Sequence, residues 1–188
     1  MSYLEIILIS IGLAMDCFAV SFSAGATQPE LRLKNTLIVG LFFGFFQASM
    51  AAAGWLCGEA IVEKISRIDH WITFIILAFI GGKMIFEAFH EKKQSEKINV
   101  MRIPTLLILS IATSIDALAA GFGFAMMEIH NIYIVILFVG VFSFTFSILG
   151  IYGGKKLHRI IKPAYAELLG GAILVIIGLK ILLEHLLA

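Results

Sequence analysis

The chain has 188 residues, 60% of them apolar and only 14% charged, with a mean hydropathy of +1.00; a soluble domain carries about 25% charged and about 45–50% apolar residues, so this composition describes an integral membrane protein. A net charge of +1 leaves no basic surface for nucleic acid. Cys17 and Cys57 sit in apolar runs far from any zinc-finger spacing, and the chain has no G-x-x-x-x-G-K-[ST] loop, which excludes a zinc module, a disulfide framework and direct drive by ATP.

A bilayer core about 30 Å thick takes roughly 20 apolar residues per helix, and the sequence offers six such runs: 4–26, 36–58, 71–89, 104–127, 132–153 and 165–187. The first holds Asp16 in mid-span, with Gly12, Ala19 and Ser23 on the same helical face. No Lys or Arg precedes it, so it reads as a span and not as a removable signal peptide. The second presents a stripe of Gly44, Gln47, Ala51, Gly54 and Gly58, and the third closes on Gly81-x-Lys83-x-x-x-Glu87. A polar linker, 91–103, separates these from a fourth run carrying Thr113, Ser114 and Asp116, with Ala112, Ala119 and Gly123 around the acid. The fifth repeats the small-residue stripe as Gly140, Ser143, Ser147, Gly150 and Gly154, and the sixth ends on Gly178-x-Lys180-x-x-x-Glu184.

The second half is a copy of the first. Residues 9–26 lie over 109–126 at an offset of 100, with Ser10 on Ser110, Asp16 on Asp116 and Phe22 on Phe122. The second run lies over the fifth at an offset of 96 and the third over the sixth at 97. Repeat one is therefore 1–90 and repeat two 104–188, within a single transmembrane domain. Three spans per repeat require the two to insert in opposite senses, the inverted plan of secondary transporters, whose sites lie near the midplane. The expected fold is all-α, six transmembrane helices as two inverted three-helix repeats. Lys and Arg number ten in the linkers after the first, third and fifth runs, while the opposite side holds only Lys64 and Arg67, so those three linkers should face the cytoplasm.

A carboxylate in mid-span costs about 2.5–3.5 kcal/mol on the insertion scale, and this chain carries two in register. Such acids face a cavity or a partner, and the small residues beside them permit close helix approach. The glycine stripes have a purely structural reading as packing seams. Lys83 with Glu87, and Lys180 with Glu184, read first as mutually neutralising i,i+4 pairs and second as gating elements; no repeated base is expected at the depth of the aspartates. The histidines fall at loops and span ends. Two carboxylates suit a divalent cation, since hard cations take oxygen ligands, and Gln47, Thr113, Ser114 and Ser143 offer neutral oxygens beside Asp16 and Asp116.

The segments Gly12-Leu13-Ala14-Met15-Asp16-Cys17, Ala112-Thr113-Ser114-Ile115-Asp116-Ala117, Gly81-Gly82-Lys83 and Glu167-Leu168-Leu169-Gly170-Gly171 resemble the bacterial manganese efflux pumps of the MntP type, within the LysE-like exporters. The resemblance spans the whole chain and implies export of Mn²⁺ as substrate, with Asp16 and Asp116 as the key acids, from a multi-pass plasma membrane position. The chain departs from residues frequent in that family at Ala14, Cys17, Gln47 and Ala51. Protons are the expected counter-ion and the bilayer the surrounding partner. No permanently bound cofactor is expected, and an oligomer is compatible with the sequence. A LysE-like exporter of another divalent cation or of a basic amino acid is the nearest alternative. An intramembrane aspartyl protease, which also needs two acids, is disfavoured because the Gly-x-Gly-Asp signature precedes neither aspartate.

Overall fold

A computed structural model describes residues 3–28, 32–65, 69–89, 100, 102–127, 131–157 and 164–187. They form six helices: α1 (Tyr3–Thr27), α2 (Leu33–Ile65), α3 (Asp69–Phe89), α4 (Ile103–Met126), α5 (Ile132–Leu157) and α6 (Ala164–Leu187). No strand occurs among the described residues. Most of the linker 91–103 lies outside them. Pro104 sits in the first turn of α4, where its missing N–H has no intrahelical acceptor to lose. Ser10 and Ser110 donate to the carbonyls of Ile6 and Leu106, one turn back, which lets a hydroxyl enter an apolar helix with its hydrogen satisfied.

By length and composition α1, α2, α4 and α5 can each cross a bilayer, whereas the apolar helices in the described parts of α3 and α6 are shorter, Thr73–Phe86 and Leu168–Lys180. The second helix runs well past the expected apolar run, to Ile65, at about 50 Å against a core of about 30 Å. Hydropathy falls after Gly58, but no Gly or Pro follows to end the hydrogen-bond ladder.

The bundle is inside out relative to a soluble protein. Phe45, Phe79, Ile108, Tyr133 and Ile176 are exposed, while Ser21, Gln47, Ser110, Ser114, Ser143 and Ser147 are fully buried, the distribution lipid imposes. An apolar groove of about 500 Å³ between α2 and α5, lined by residues such as Leu41, Phe45, Tyr133 and Phe144, belongs to that outer face and holds none of the polar residues.

The main packing partners are α1 with α5, α2 with α4, α3 with α6 and α2 with α5; α1 also meets α6, α3 meets α4, and α1 touches α4. Exchanging α1 for α4, α2 for α5 and α3 for α6 returns the same set. The α2–α4 and α1–α5 seams agree residue by residue. A Cβ on Gly54 would stand 1.9 Å from the Leu118 carbonyl oxygen and one on Gly58 2.9 Å from that of Phe122; Gly150 and Gly154 meet the carbonyls of Phe18 and Phe22 at 2.7 and 2.0 Å. The glycine stripes are thus packing seams, in which the absent side chain lets one backbone rest on the next. One buried cluster gathers Ile9, Leu13, Leu77, Ile80, Met84, Phe124 and Leu174. A second, comprising Cys17, Ala24, Val39, Phe43, Leu106 and Ile151, includes Val100, which ties the end of the linker to the ends of four helices.

Candidate functional site

Thr113, Ser114 and Asp116 are all buried on α4. The Asp116 carboxylate is held by α3: Lys83 Nζ donates to Oδ1 at 3.2 Å and to Oδ2 at 3.1 Å. The Asp116 side chain is 8% exposed and that of Lys83 37%. A base thus lies at the depth of one aspartate, although it is not repeated at that of the other, and Lys83 has an interhelical partner in addition to any i,i+4 pairing with Glu87, whose side chain, like that of Glu184, lies outside those described. The reason is register. Thr73 on α3 donates to the Gly123 carbonyl on α4 at 3.2 Å, and from there the antiparallel helices bring Lys83 within a side chain's length of Asp116. Its repeat mate Lys180 instead binds Glu5 in the first turn of α1.

Around the centre of the bundle the other candidates separate into two kinds. Gln47 is fully buried on α2 and its Nε2 donates to the Leu13 carbonyl of α1 at 2.9 Å, while its Oε1 has no hydrogen-bond partner. Ser143 on α5, the residue that corresponds to Gln47 at the offset of 96, likewise buries an Oγ without a partner. The Thr113 and Ser143 side chains flank the buried Cys17 thiol, next in sequence to the half-buried Asp16. Residues of α1, α2, α4 and α5 therefore meet at one level, where two uncompensated oxygens are each worth about 1–3 kcal/mol of lost solvation. Thr113 Oγ1 donates to the carbonyls of Leu109 and Ser110, which leaves its lone pairs as acceptors. Ser114 differs. Its hydroxyl donates to Ser110 O at 2.7 Å, and it stands about 160° around the helix from Asp116. Among the described residues no three His, Cys, Asp or Glu side chains converge on one point.

Sequence reasoning missed Cys17 as a member of this layer, Glu5 as a partner for Lys180, and Lys83 as a partner for Asp116. The signal for the last was present: a lysine inside an apolar helix needs an acid, and Asp116 was an acid in want of a base.

Comparison with known proteins matches residues 30–182 to the family described as "Putative manganese efflux pump". Similar proteins, each named "Putative manganese efflux pump MntP", occur in Clostridium perfringens (45% identity, covering 98% of this chain and 96% of the relative), Bacteroides thetaiotaomicron (45%, 99% and 98%) and Methanospirillum hungatei (43%, 96% and 93%). The chain belongs to the MntP-type manganese efflux pump family. No solved structure matches it. As a member of the MntP family with four helices long enough to span, it is a multi-pass protein of the plasma membrane, and its two aspartates occupy corresponding positions on α1 and α4 of that membrane bundle.

Proposed function

We propose that this protein exports Mn²⁺ from the cytoplasm by secondary transport, in exchange for protons, with Asp16 and Asp116 as the acids that bind the metal and with no resident cofactor. The observation that carries the reading is a pair of buried oxygens without hydrogen-bond partners, Gln47 Oε1 and Ser143 Oγ, which unlike Ser21 Oγ, also unpartnered, fall at equivalent places in the two halves. Ser143 lies beside Thr113 and Cys17, and Gln47 on the Leu13 carbonyl one turn earlier on α1. Hard divalent cations take such neutral oxygens together with carboxylates, and an arriving ion would supply the partner that each oxygen lacks. Thr113 fits the same shell through its free lone pairs. Ser114 fits it less well, because it stands about 160° around α4 from Asp116, whereas Thr113 stands about 60° from it. The names carried by relatives across nearly the whole chain support Mn²⁺ as the cargo.

The two halves insert in opposite senses, with the linkers after α1, α3 and α5 in the cytoplasm. Support comes from the helix contacts that map onto themselves when the halves are exchanged and from the matched glycine seams. Moving a +2 ion outward against an inside-negative potential costs about 4.6 kcal/mol per 100 mV. Two protons returning cancel that electrical cost, and a pair of carboxylates supplies two sites that hold either cargo. Uptake by the purified chain in liposomes, with Mn²⁺, Mg²⁺, Ca²⁺, Fe²⁺ and L-lysine offered in turn, tests the reading. Mn²⁺ flux that vanishes in Asp16→Asn and in Asp116→Asn is expected, and L-lysine flux without any divalent flux would overturn it.

A further inference from the structure

We infer that the Lys83 ammonium is a built-in stand-in for the cargo: it holds Asp116 in the metal-free site, an arriving ion must displace it, and its return helps to drive the ion off. The inference rests on the proposed role of Asp116 in binding the metal. Its own ground is geometric. Lys83 Nζ stands between the two carboxylate oxygens, at 3.2 and 3.1 Å, the position that a divalent ion bound by both oxygens would take. An ammonium between the two oxygens repels an arriving +2 ion and fills the place a bidentate metal would take, so metal and ammonium compete for that position.

The lysine is built to leave. Its side chain is 37% exposed although its partner is 8% exposed, and a flexible four-carbon stem lets an ammonium move along the protein surface towards a polar boundary. The backbone beneath is fixed, because Gly81 packs against the Gly171 carbonyl of α6 with only 2.6 Å for a Cβ. A firm helix with a movable charged arm is what a displaceable counter-cation requires. The consequence for transport is a trade. A site without the lysine binds metal more tightly and releases it more slowly, so Lys83 is a positioning residue that sets affinity against turnover.

The test uses the purified full-length protein as wild type, Lys83→Gln, Lys83→Arg and Asp116→Asn. Mn²⁺ binding is read directly from loss of the free-ion paramagnetic resonance signal, and flux is measured in proteoliposomes. Removing a competing charge-assisted contact worth about 1.5–3 kcal/mol should tighten binding about ten- to hundredfold in Lys83→Gln, with KM and turnover falling together. Lys83→Arg keeps the charge and adds a bidentate fork that grips a carboxylate harder, so it should bind Mn²⁺ several-fold more weakly. The opposite signs separate competition from a structural role, which would move both variants the same way. If Lys83→Gln fails to fold, Lys83→Met supplies a second neutral side chain with the same expected tightening. Wild type that binds Mn²⁺, with Asp116→Asn that does not and Lys83→Gln or Lys83→Arg unchanged, overturns this inference alone. Mn²⁺ binding that Asp116→Asn retains, or no binding by any form, overturns the reading of Asp116 and this inference with it.

Discussion

Gly54→Ala is expected to wedge α2 from α4 and to lower the melting temperature of the purified protein by about 6–12 °C. A Cβ there would lie 1.9 Å from the Leu118 carbonyl oxygen, against an ordinary C···O contact of about 3.3 Å, so the backbones must part by about 1.4 Å. The obstacle is main chain and cannot rotate away. A gap of about 0.5–1 Å already forfeits a quarter to a half of the dispersion energy along the facing surfaces, and Gly58 and Gly121 share the same seam. Overpacking of this kind costs typically 1–3 kcal/mol. We take about 3 because nothing soft yields, and for a chain of this length each kcal/mol moves the midpoint by about 2–4 °C. Gly82→Ala is the internal control: its Cβ meets nothing within 4 Å, and replacing a mid-helix glycine gains about 0.5–1 kcal/mol. The assay is thermal unfolding in detergent followed by size exclusion, run on Gly54→Ala, Gly154→Ala, Gly150→Ala and Gly82→Ala. Losses should rank in that order, following clearances of 1.9, 2.0 and 2.7 Å and open space. A Gly54→Ala protein that melts with Gly82→Ala would refute the seam argument.

Asp16→Asn and Asp116→Asn should each abolish Mn²⁺ tolerance in cells while the protein still reaches the membrane, scored by growth on added Mn²⁺ beside membrane immunoblots. Ser143→Ala should raise stability by up to about 1–3 kcal/mol, because it removes a buried hydroxyl that has no hydrogen-bond partner, yet weaken Mn²⁺ binding; calorimetry and unfolding on one preparation read both. A cysteine at position 95, in a background with Cys57 replaced because Cys57 is exposed, should react with a membrane-impermeant thiol reagent only from the cytoplasmic side; labelling from outside would reverse the charge-based orientation. Mn²⁺ efflux from proteoliposomes should respond to an imposed pH gradient with the potential clamped, and indifference would remove the proton from the exchange.

The helices were legible because lipid demands an apolar run for each one and leaves no alternative backbone geometry. The repeat was legible because Asp16 and Asp116, Gly54 and Gly150, and Gly58 and Gly154 each recur at a fixed offset. What those glycines do was readable only in part. A stripe of small residues suits a cavity as well as a seam, and only the carbonyls of Leu118, Phe122, Phe18 and Phe22 lying against them decide for the seam. The length of α2 was not legible from hydropathy at all, since the helix continues through polar residues such as Glu59 as far as Ile65, where nothing interrupts its ladder.

The aspartates stood out in sequence because a charge in an apolar span is conspicuous, but their surroundings depend on the axial register of one helix against another, and a local pattern does not carry that. Lys83 and Lys180 illustrate the limit. They occupy matching positions in two matching helices, yet Lys83 reaches a mid-span acid on α4 and Lys180 an acid in the first turn of α1. An i,i+4 rule applied to each gives the same local partner twice and misses both. The difference traces to register. Gly170 on α6 lies against Gly12 and Met15 of α1, whereas its counterpart at the offset of 97, Thr73 on α3, bonds the Gly123 carbonyl of α4, well past the positions 112 and 115 that match Gly12 and Met15. The α3–α4 seam is therefore displaced along the axis relative to the α6–α1 seam. Lys180 meets Glu5 in the first turn of α1, and the same displacement carries Lys83 to Asp116, the residue on which transport is proposed to depend.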